Sequence, residues 1–279
     1  TGATVGARAS LSAGGANKRV LVEASNGTVL LDSVNAGTGA GVLAGEQVRV
    51  VAHTLDVNSV NAANGDVTLV SGTGNLTAGS VNAGGGAILQ SAALLQTDTA
   101  AARNGNLQVT AGGTISGATG ARANLAAVGA DKRVIVQSGG SVMLGTVTAG
   151  SGATTIPGEQ IGVTGQSVDI TSAVATNGAL SIDATNGIAR IANGAAQRGS
   201  ANMSANGPVE VTGELSGSGL VSVIATGPAG SVTANRLISS ANGITVAGNT
   251  GASVTFADAN TSLGIASAQG NVALGTGKA

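Results

Sequence analysis

Three closely similar pentapeptides decide the fold of this chain: Ser33-Val34-Asn35-Ala36-Gly37, Ser59-Val60-Asn61-Ala62-Ala63 and Ser80-Val81-Asn82-Ala83-Gly84. A related segment, Thr146-Val147-Thr148-Ala149-Gly150, appears further along. In each of them apolar residues alternate with polar ones, which is the two-residue period of a β-strand with one buried face. A short strand that returns at similar intervals indicates a repeat architecture, in which each repeat packs on its neighbours.

Two other strand-like segments accompany this one in each repeat. The first kind begins at Val20, Val48, Val67, Ile88, Leu107, Val134, Ile161 and Leu180. The second kind begins at Val29, Leu55, Leu76, Ile115, Val142, Val168 and Ile188. The sequence therefore predicts three short strands and three turns per unit of about 20 residues, or about 14 units, and some units hold about eight extra residues.

The turns between these strands distinguish two all-β folds. Asn-Gly occurs eight times, from Asn26-Gly27 to Asn242-Gly243, and this dipeptide commonly closes a two-residue hairpin. An antiparallel hairpin meander is therefore the alternative fold, but it gives no reason for similar turns to return about every 20 residues. A coil does, because its turns stack and its strands pair with those above and below. Asn and Gly also tolerate the left-handed backbone that we expect at the sharp corners of a coil.

We therefore predict an all-β, right-handed parallel β-helix that runs through residues 1–279 as one continuous segment. No polar or helical cap is recognisable at Thr1 or Ala279. Because the turns of such a solenoid pack on their neighbours, we expect both ends to be uncapped and to stack on flanking β-helix coils of the same chain.

The composition suits a thin core and opposes disorder. The chain has 47 Gly, no Trp, Tyr or Cys and a single Phe, Phe256, so large aromatic side chains do not build its core. High Gly with few aromatics is also typical of disordered chains. However, 42% of the residues are hydrophobic, only 9% are charged and only 3 are Pro. Such a chain has enough apolar surface to fold, and the absence of Cys excludes disulfides and thiol chemistry.

Charge and hydropathy exclude two classes of partner. The chain has 12 Lys and Arg against 13 Asp and Glu, a net charge of −1, whereas a nucleic-acid-binding surface is strongly basic. It also lacks the aromatic side chains on which bases stack. No run of about 18 apolar residues occurs, which predicts no membrane insertion. No signal peptide is recognisable from Thr1 onward.

A longer duplication is superimposed on the short repeat. Ala16-Asn17-Lys18-Arg19-Val20 returns 114 positions later as Ala130-Asp131-Lys132-Arg133-Val134, and Gly45-Glu46-Gln47-Val48 returns 113 positions later as Gly158-Glu159-Gln160-Ile161. These segments coincide with the longer units. We therefore expect protruding loops near residues 7–19, 37–47, 121–133 and 150–160.

The duplicated basic residues are the most distinctive polar feature, and they form two equivalent groups. One interpretation is contact with an anionic ligand, such as a sulfated glycan, that bridges two groups about 24 Å apart along one edge. The other is that they solvate a loop or pair with Glu23 and Asp131, which stabilises little at a surface. The residues concerned are Arg8, Lys18, Arg19, Arg122, Lys132 and Arg133.

No motif for catalysis, metal binding or cofactor binding stands out. His53 is the only histidine, no Gly-x-Ser-x-Gly accompanies it, and we expect it in a solvated turn. The glycines of residues 39–44 match a dinucleotide pattern by chance, without a helix to support it. Neither the Asp of a calcium-binding repeat nor a zinc ligand set is in place. The sequence therefore predicts no catalytic, cofactor-binding or metal-binding residue, and no enzyme.

The short units, their richness in Gly, Ala, Val, Asn, Ser and Thr, and the Asn-Gly turns resemble the repeats of filamentous haemagglutinin and related two-partner-secreted adhesins. This resemblance covers essentially the whole chain. It implies export through an outer-membrane partner, an extracellular or bacterial cell-surface location, and a long shaft that attaches to a host surface glycan or protein. The chain lacks the Asn-Pro-Asn of the family's secretion domain. It also lacks Arg-Gly-Asp, to which Arg198-Gly199-Ser200 comes nearest.

Four functions follow as expectations. The first is the structural shaft of a secreted adhesin, and the second is a glycan- or protein-binding module on that shaft. An autotransporter passenger is the third, because it shares the shaft and differs in its export route. The fourth, a polysaccharide-processing β-helix, is opposed by the scattered acidic residues and the absence of aromatic side chains that stack on sugars.

Overall fold

The computed structural model describes residues 7–38 and 43–279. Its secondary structure is almost entirely β, with one 3-10 helix at Ala118–Gly120. The strands are β1 Ala9–Ala13, β2 Val20–Ala36, β3 Glu46–Ala62, β4 Asp66–Ser71, β5 Leu76–Ala83, β6 Ala87–Ser91, β7 Leu95–Ala102, β8 Leu107–Ala111, β9 Ile115–Ser116, β10 Ala123–Ala127, β11 Val134–Ser138, β12 Ser141–Ala149, β13 Glu159–Gly165, β14 Ser167–Ala175, β15 Ala179–Ala184, β16 Ala189–Ala196, β17 Ala201–Ala205, β18 Val209–Gly217, β19 Val221–Ala225, β20 Ser231–Ser239, β21 Ile244–Gly248, β22 Gly251–Ala259, β23 Leu263–Ser267 and β24 Asn271–Lys278.

Each full turn of the chain places strand residues on three faces, which we call A, B and C in chain order. Face A contains the first parts of β2 and β3 and the whole of β4, β6, β8, β11, β13, β15, β17, β19, β21 and β23. Face B contains the middle of β2 and β3, the whole of β9, and the first parts of β5, β7, β12, β14, β16, β18, β20, β22 and β24. Face C contains β1, β10 and the last parts of the long strands.

All of these pairings are parallel, so the chain is a β-solenoid of about 13 turns. Val20 pairs with Val48, Val48 with Val67, and the same ladder continues turn by turn to Leu263. At a spacing of about 4.8 Å per turn the stack is about 60 Å long. The predicted parallel β-helix with three strands per turn is confirmed, and the hairpin meander is excluded. The right-handed sense of the winding stays a prediction.

The inward side chains of the three faces meet in one continuous apolar core. Leu107 on face A and Leu76 on face B are fully buried, and face C places a larger residue before alanine, as in Val60 and Ala62. Because the three sheets converge on a narrow centre, Val, Leu, Ile and Ala fill it without aromatic help. Phe256 instead lies half-buried on the outer side of face C.

Two predicted strand starts were wrong by one residue. Ala87, not Ile88, pairs with Val67 and Leu107 on face A, and the side chain of Ile88 points outward with 43% of its surface exposed. Similarly, Ala189 rather than Ile188 pairs with Val168 on face B. The inward register is fixed by the turns above and below, and a slip of one residue would turn every side chain of the strand to the other side.

The glycines of the Asn-Gly pairs do not have the expected left-handed backbone. None of the eight Asn-Gly glycines is among the glycines with positive φ. Several of them are instead places where two stacked corners approach closely. A Cβ at Gly65 would lie 2.8 Å from the carbonyl oxygen of Gly45, and one at Gly207 would lie 2.6 Å from that of Gly187. Glycine is needed there because the next turn leaves no room for a side chain.

Replacement of Gly105 by alanine is expected to destabilise the chain by about 1–3 kcal/mol, because the new Cβ would overlap the backbone nitrogen and Cα of Gly86. Gly27, in another Asn-Gly pair, is the matched control, because a Cβ there meets no atom within 4 Å. Gly27→Ala should leave the free energy of unfolding unchanged or raise it slightly. Urea unfolding followed by circular dichroism measures both, and an equal loss for the two variants would contradict the close-approach explanation.

Candidate functional site

Four long connections between strands lie at one corner of the solenoid, between face C and face A, which we call the loop corner. They are residues 14–19, 37–45, 128–133 and 150–158, of which 39–42 lie outside the described residues. We call the first two the lower loop pair and the last two the upper loop pair. The sequence placed the loops at 7–19 and 121–133, but the first halves of those segments contain β1 and β10 on face C.

A buried glutamine holds each loop pair onto the rod. Gln47 is fully buried, and its side-chain oxygen accepts hydrogen bonds from the backbone N–H groups of Asn64 (2.8 Å) and Gly65 (3.0 Å). Its side-chain nitrogen donates to the carbonyl oxygens of Ala16 (3.1 Å) and Lys18 (3.3 Å) in the loop below. The amide therefore joins three successive turns, and it satisfies backbone groups that a buried loop would otherwise leave without partners.

The upper loop pair repeats this arrangement. Gln160 is also fully buried, and its oxygen accepts from the N–H groups of Asn177 (2.7 Å) and Gly178 (3.1 Å). Its nitrogen donates to the carbonyl oxygen of Ala130 at 3.2 Å. Asn177 adds bonds to Ala130 (2.9 Å) and Ser151 (2.8 Å). The duplicated Gly-Glu-Gln segment thus holds the loops onto the rod through its glutamine. The sequence alone did not predict this role.

Left-handed glycines recur at equivalent places in the two loop pairs. Gly45 and Gly158 have φ of +82° and +76°, and Gly37 and Gly150 have φ of +83° and +90°. A residue with a Cβ would be strained in this conformation. The backbone of the loops is therefore duplicated as well as the side chains that anchor it.

Arg8 and Arg122, two of the six predicted ligand contacts, bridge turns of the rod. Arg8 donates to the carbonyl oxygen of Leu31 at 3.0 Å and pairs with the carboxylate of Asp56. Arg122 donates to the carbonyl oxygens of Leu144 (3.1 Å) and Asp169 (3.0 Å), and to the Asp169 carboxylate at 2.6 Å. Each guanidinium therefore spans three turns near the middle of face B, which accounts for its charge without a ligand.

Arg19 and Arg133 also reach the turn above them. Arg19 donates to the carbonyl oxygen of Ala44 at 3.4 Å. Arg133 donates to those of Pro157 (3.0 Å) and Glu159 (2.7 Å). Both arginines therefore tie the first loop of a pair to the second.

The two lysines differ from each other. The ammonium of Lys132 pairs with Asp131 at 3.0 Å, and this hydrogen bond lowers the pKa of the Asp131 carboxyl. Lys18 is exposed, and its ammonium has no hydrogen bond or ion pair within the part of the chain that the structure describes. Glu23, the other predicted partner, instead lies 3.6 Å from Arg49.

The two loop pairs lie on the same corner at a fixed separation. The ladder from Val20 to Val134 passes through Val48, Val67, Ala87 and Leu107, which makes five turns. Equivalent atoms of the two pairs are therefore about 24 Å apart along the rod.

A groove lies between the loop pairs, and sequence reasoning missed it. Its volume is about 460 Å³, and its lining includes Arg103, Val128 and the amides of Asn61 and Asn82. Nothing in the sequence indicates that Arg103 belongs to a site, because neither Arg103 nor its neighbours recur in the long duplication. Only the stacking of three short corners between two long loops brings these residues together.

Groups that catalyse reactions or bind metals are sparse. His53 is exposed within β3, where the chain turns from face A to face B, and its Nδ1 lies 2.5 Å from the hydroxyl of Thr73. In the described ranges no three His, Asp or Glu side chains lie close enough to hold a metal ion. No helix in those ranges is long and apolar enough to cross a membrane. The predicted chance match to a dinucleotide pattern falls mostly on 39–42, outside the described residues.

No model of a known protein family, no curated protein sequence and no solved structure matches the chain.

Proposed function

We propose that this chain is part of the structural shaft of a secreted bacterial surface adhesin. The observation that carries the proposal is the unbroken parallel stack of about 13 turns, which forms a rod about 60 Å long. Each turn hydrogen-bonds to the next along all three faces, so bending or shearing the rod requires many bonds to distort together. Such a rod suits the task of holding an adhesive tip away from a cell.

The polar side chains of the loop corner support a structural role. The buried glutamines, Gln47 and Gln160, join successive turns through their amides, and Arg133 joins them through its guanidinium. These groups stiffen the rod rather than face a substrate. In this proposal the rod is extracellular, leaves the cell through an outer-membrane partner and contacts a host surface glycan or protein.

A second function is favoured by one observation, the presence of the same basic loop twice on one corner. Lys18 and Lys132 recur about 24 Å apart, so a long anionic ligand would contact both at once. In that case the loop corner itself binds the host surface. Binding at two linked sites raises the overall affinity above that of either site alone.

One experiment separates the two functions. In the full-length bacterial protein, residues 201–243 are removed, which are two whole turns without a long loop, since Ala201 pairs with Val221 and Val221 with Ile244. The variant Lys18→Ala/Lys132→Ala is made in parallel. A shaft predicts unchanged host-cell adhesion in both and a filament shorter by about 10 Å in the first. Loss of adhesion in the lysine variant alone would favour direct binding over the shaft.

A further inference from the structure

The groove between the loop pairs has a defined floor and walls. Three turns with short corners separate the lower loop pair from the upper one, and residues 63–65, 84–86 and 103–106 form those corners. Ala63 and Gly84 follow face C on the first two of these turns and keep the floor low. Arg103 follows on the third, and Val128 of the upper loop pair closes the groove with 50% of its surface exposed. The depression is therefore open to solvent and has one cationic end.

Arg103 differs from every other arginine of the chain. The other arginines bind carboxylates or carbonyl oxygens within the protein, as Arg49 does with Glu46 at 3.1 Å and Arg198 with Gly152 at 3.2 Å. The side chain of Arg103 is exposed and has no hydrogen bond or ion pair in the described residues. A guanidinium presents paired N–H donors that match the two oxygens of a carboxylate. This one is available to a ligand that enters the groove.

The wall toward face C carries amides rather than charges. Asn61 and Asn82 line the groove. Together with Asn35 on the turn below, they stack in register on consecutive turns and are exposed. The side chains of Asn35 and Asn61 have no partner within the described ranges. An amide offers both donors and an acceptor, which suits the hydroxyl groups of a sugar. Because the stacked amides repeat about every 4.8 Å, neighbouring hydroxyls of one ligand are able to bind neighbouring turns.

The surroundings of the groove limit the ligand's charge and class. From Ser10 on β1 to Asn193 on β16, the outward positions of face C carry hydroxyls, amides and small apolar groups but no charge. Arg103 is the one cation among the described residues that line the groove, so a densely charged polyanion would pair only one of its charges inside it. An extended peptide would find no unpaired strand edge, because the strands that carry Asn61 and Asn82 are paired on both sides.

We infer that this groove binds a glycan with a single carboxylate, whose carboxylate pairs with Arg103 and whose hydroxyls bind Asn61 and Asn82. The exposed methyl groups of Val128 pack against the apolar side of the sugar ring. This site goes beyond the proposed shaft and does not depend on it. It also uses none of the basic residues of the loops, so the two kinds of binding are separable by substitution.

Sialyllactose is a suitable probe because it has one carboxylate, whereas lactose has none and the methyl ester of sialyllactose has lost the charge. We expect the full chain to bind sialyllactose with a dissociation constant of about 1 mM and to bind lactose and the ester at least 10-fold more weakly. Isothermal titration calorimetry or ligand-observed NMR measures all three. Equal binding of the ester, or no binding of sialyllactose, would overturn the inference.

Three variants locate the site. Arg103→Ala should weaken sialyllactose binding about 10- to 100-fold, since it removes a charged pair of hydrogen bonds. Ala101→Gln, on the outer surface in the groove, should block binding without a change of charge or of unfolding midpoint. Lys278→Ala is the matched control, because Lys278 is another exposed cation without a partner in the described part of the chain. Full binding by Arg103→Ala, or an equal loss in Lys278→Ala, would contradict the assignment.

Discussion

Removal of residues 201–220, one whole turn, is expected to leave a folded rod that unfolds in one transition and is shorter by about 4.8 Å. Ala201 pairs with Val221, so the chain re-enters the next turn in register after the deletion. At the junction, Ser200 takes the place of Leu220. The carbonyl oxygens of both accept a hydrogen bond of 3.0 Å from the turn below, from the N–H of Leu180 and of Ala201 respectively.

Removal of only residues 201–210 is expected to be more harmful, although it keeps ten more residues. It deletes β17 of face A and leaves most of β18. Without a strand of face A before it, the rest of β18 does not complete a turn and has to loop out of the stack. Val211 and Leu215, both buried in the intact rod, become exposed. Exposing two such side chains costs about 3–5 kcal/mol relative to the whole-turn deletion.

Urea unfolding of the two deletion variants, followed by circular dichroism, gives this comparison directly. The shorter chain should be the more stable of the two. The opposite order would show that the strands of successive turns do not stack in the observed register.

Replacement of Gln160 by leucine is expected to destabilise the upper loop pair by about 2–5 kcal/mol. The substitution removes the acceptor of the Asn177 and Gly178 N–H groups, and each buried donor without a partner costs about 1–3 kcal/mol. Hydrogen exchange should quicken first at these two amides and at loop 128–133. The equivalent change at Gln47 should do the same at Asn64 and Gly65.

Gln137→Leu is the matched control for this prediction. Gln137 lies on the outer side of face A, one turn below Thr164, and it is exposed. Its replacement should change the free energy of unfolding by less than about 0.5 kcal/mol. Because the two loop pairs are five turns apart and share no partner, the losses at Gln47 and Gln160 should add in the double variant. Similar stability of the Gln160 and Gln137 variants would refute the structural role of the buried amide.

The architecture could be predicted from the sequence because its cause is local and periodic. Alternation in segments such as Val48/Val50 and Leu107/Val109 marks one buried face, and the return of such segments marks stacked turns. The register failed where alanine occupies an inward position, at Ala87 and Ala189. In both places the sequence predicts the large neighbour, Ile88 or Ile188, as the inward residue. Only the turns above and below decide which residue faces inward.

The corners could be predicted only in part. Most Asn-Gly pairs lie at corners, although Asn193-Gly194 lies within β16 on face C. The reason for glycine at the corners lies in the neighbouring turn, as the contact between Gly207 and Gly187 shows. No sequence pattern reports a distance between backbones that are 20 residues apart. The left-handed glycines instead lie in the long loops, at places such as Gly45 and Gly158.

The candidate site was the least predictable feature. The duplicated basic residues were recognisable, but Arg8, Arg19, Arg122 and Arg133 bind groups on other turns, and no spacing in the sequence reveals such partners. Arg103 was overlooked for the converse reason. It has no duplicate, and its availability follows from what the stacked turns leave unpaired.

The stacking of parallel turns is tested most directly by distances between spin labels. The chain has no cysteine, so labels attach only to introduced ones. Leu21, Ile135 and Thr245 lie on one outward row of face A, with five turns between the first and second and five between the second and third. Electron paramagnetic resonance should give about 24 Å for Leu21–Ile135 and for Ile135–Thr245, and about 48 Å for Leu21–Thr245. Unequal short distances, or an outer distance that is not their sum, would contradict the solenoid.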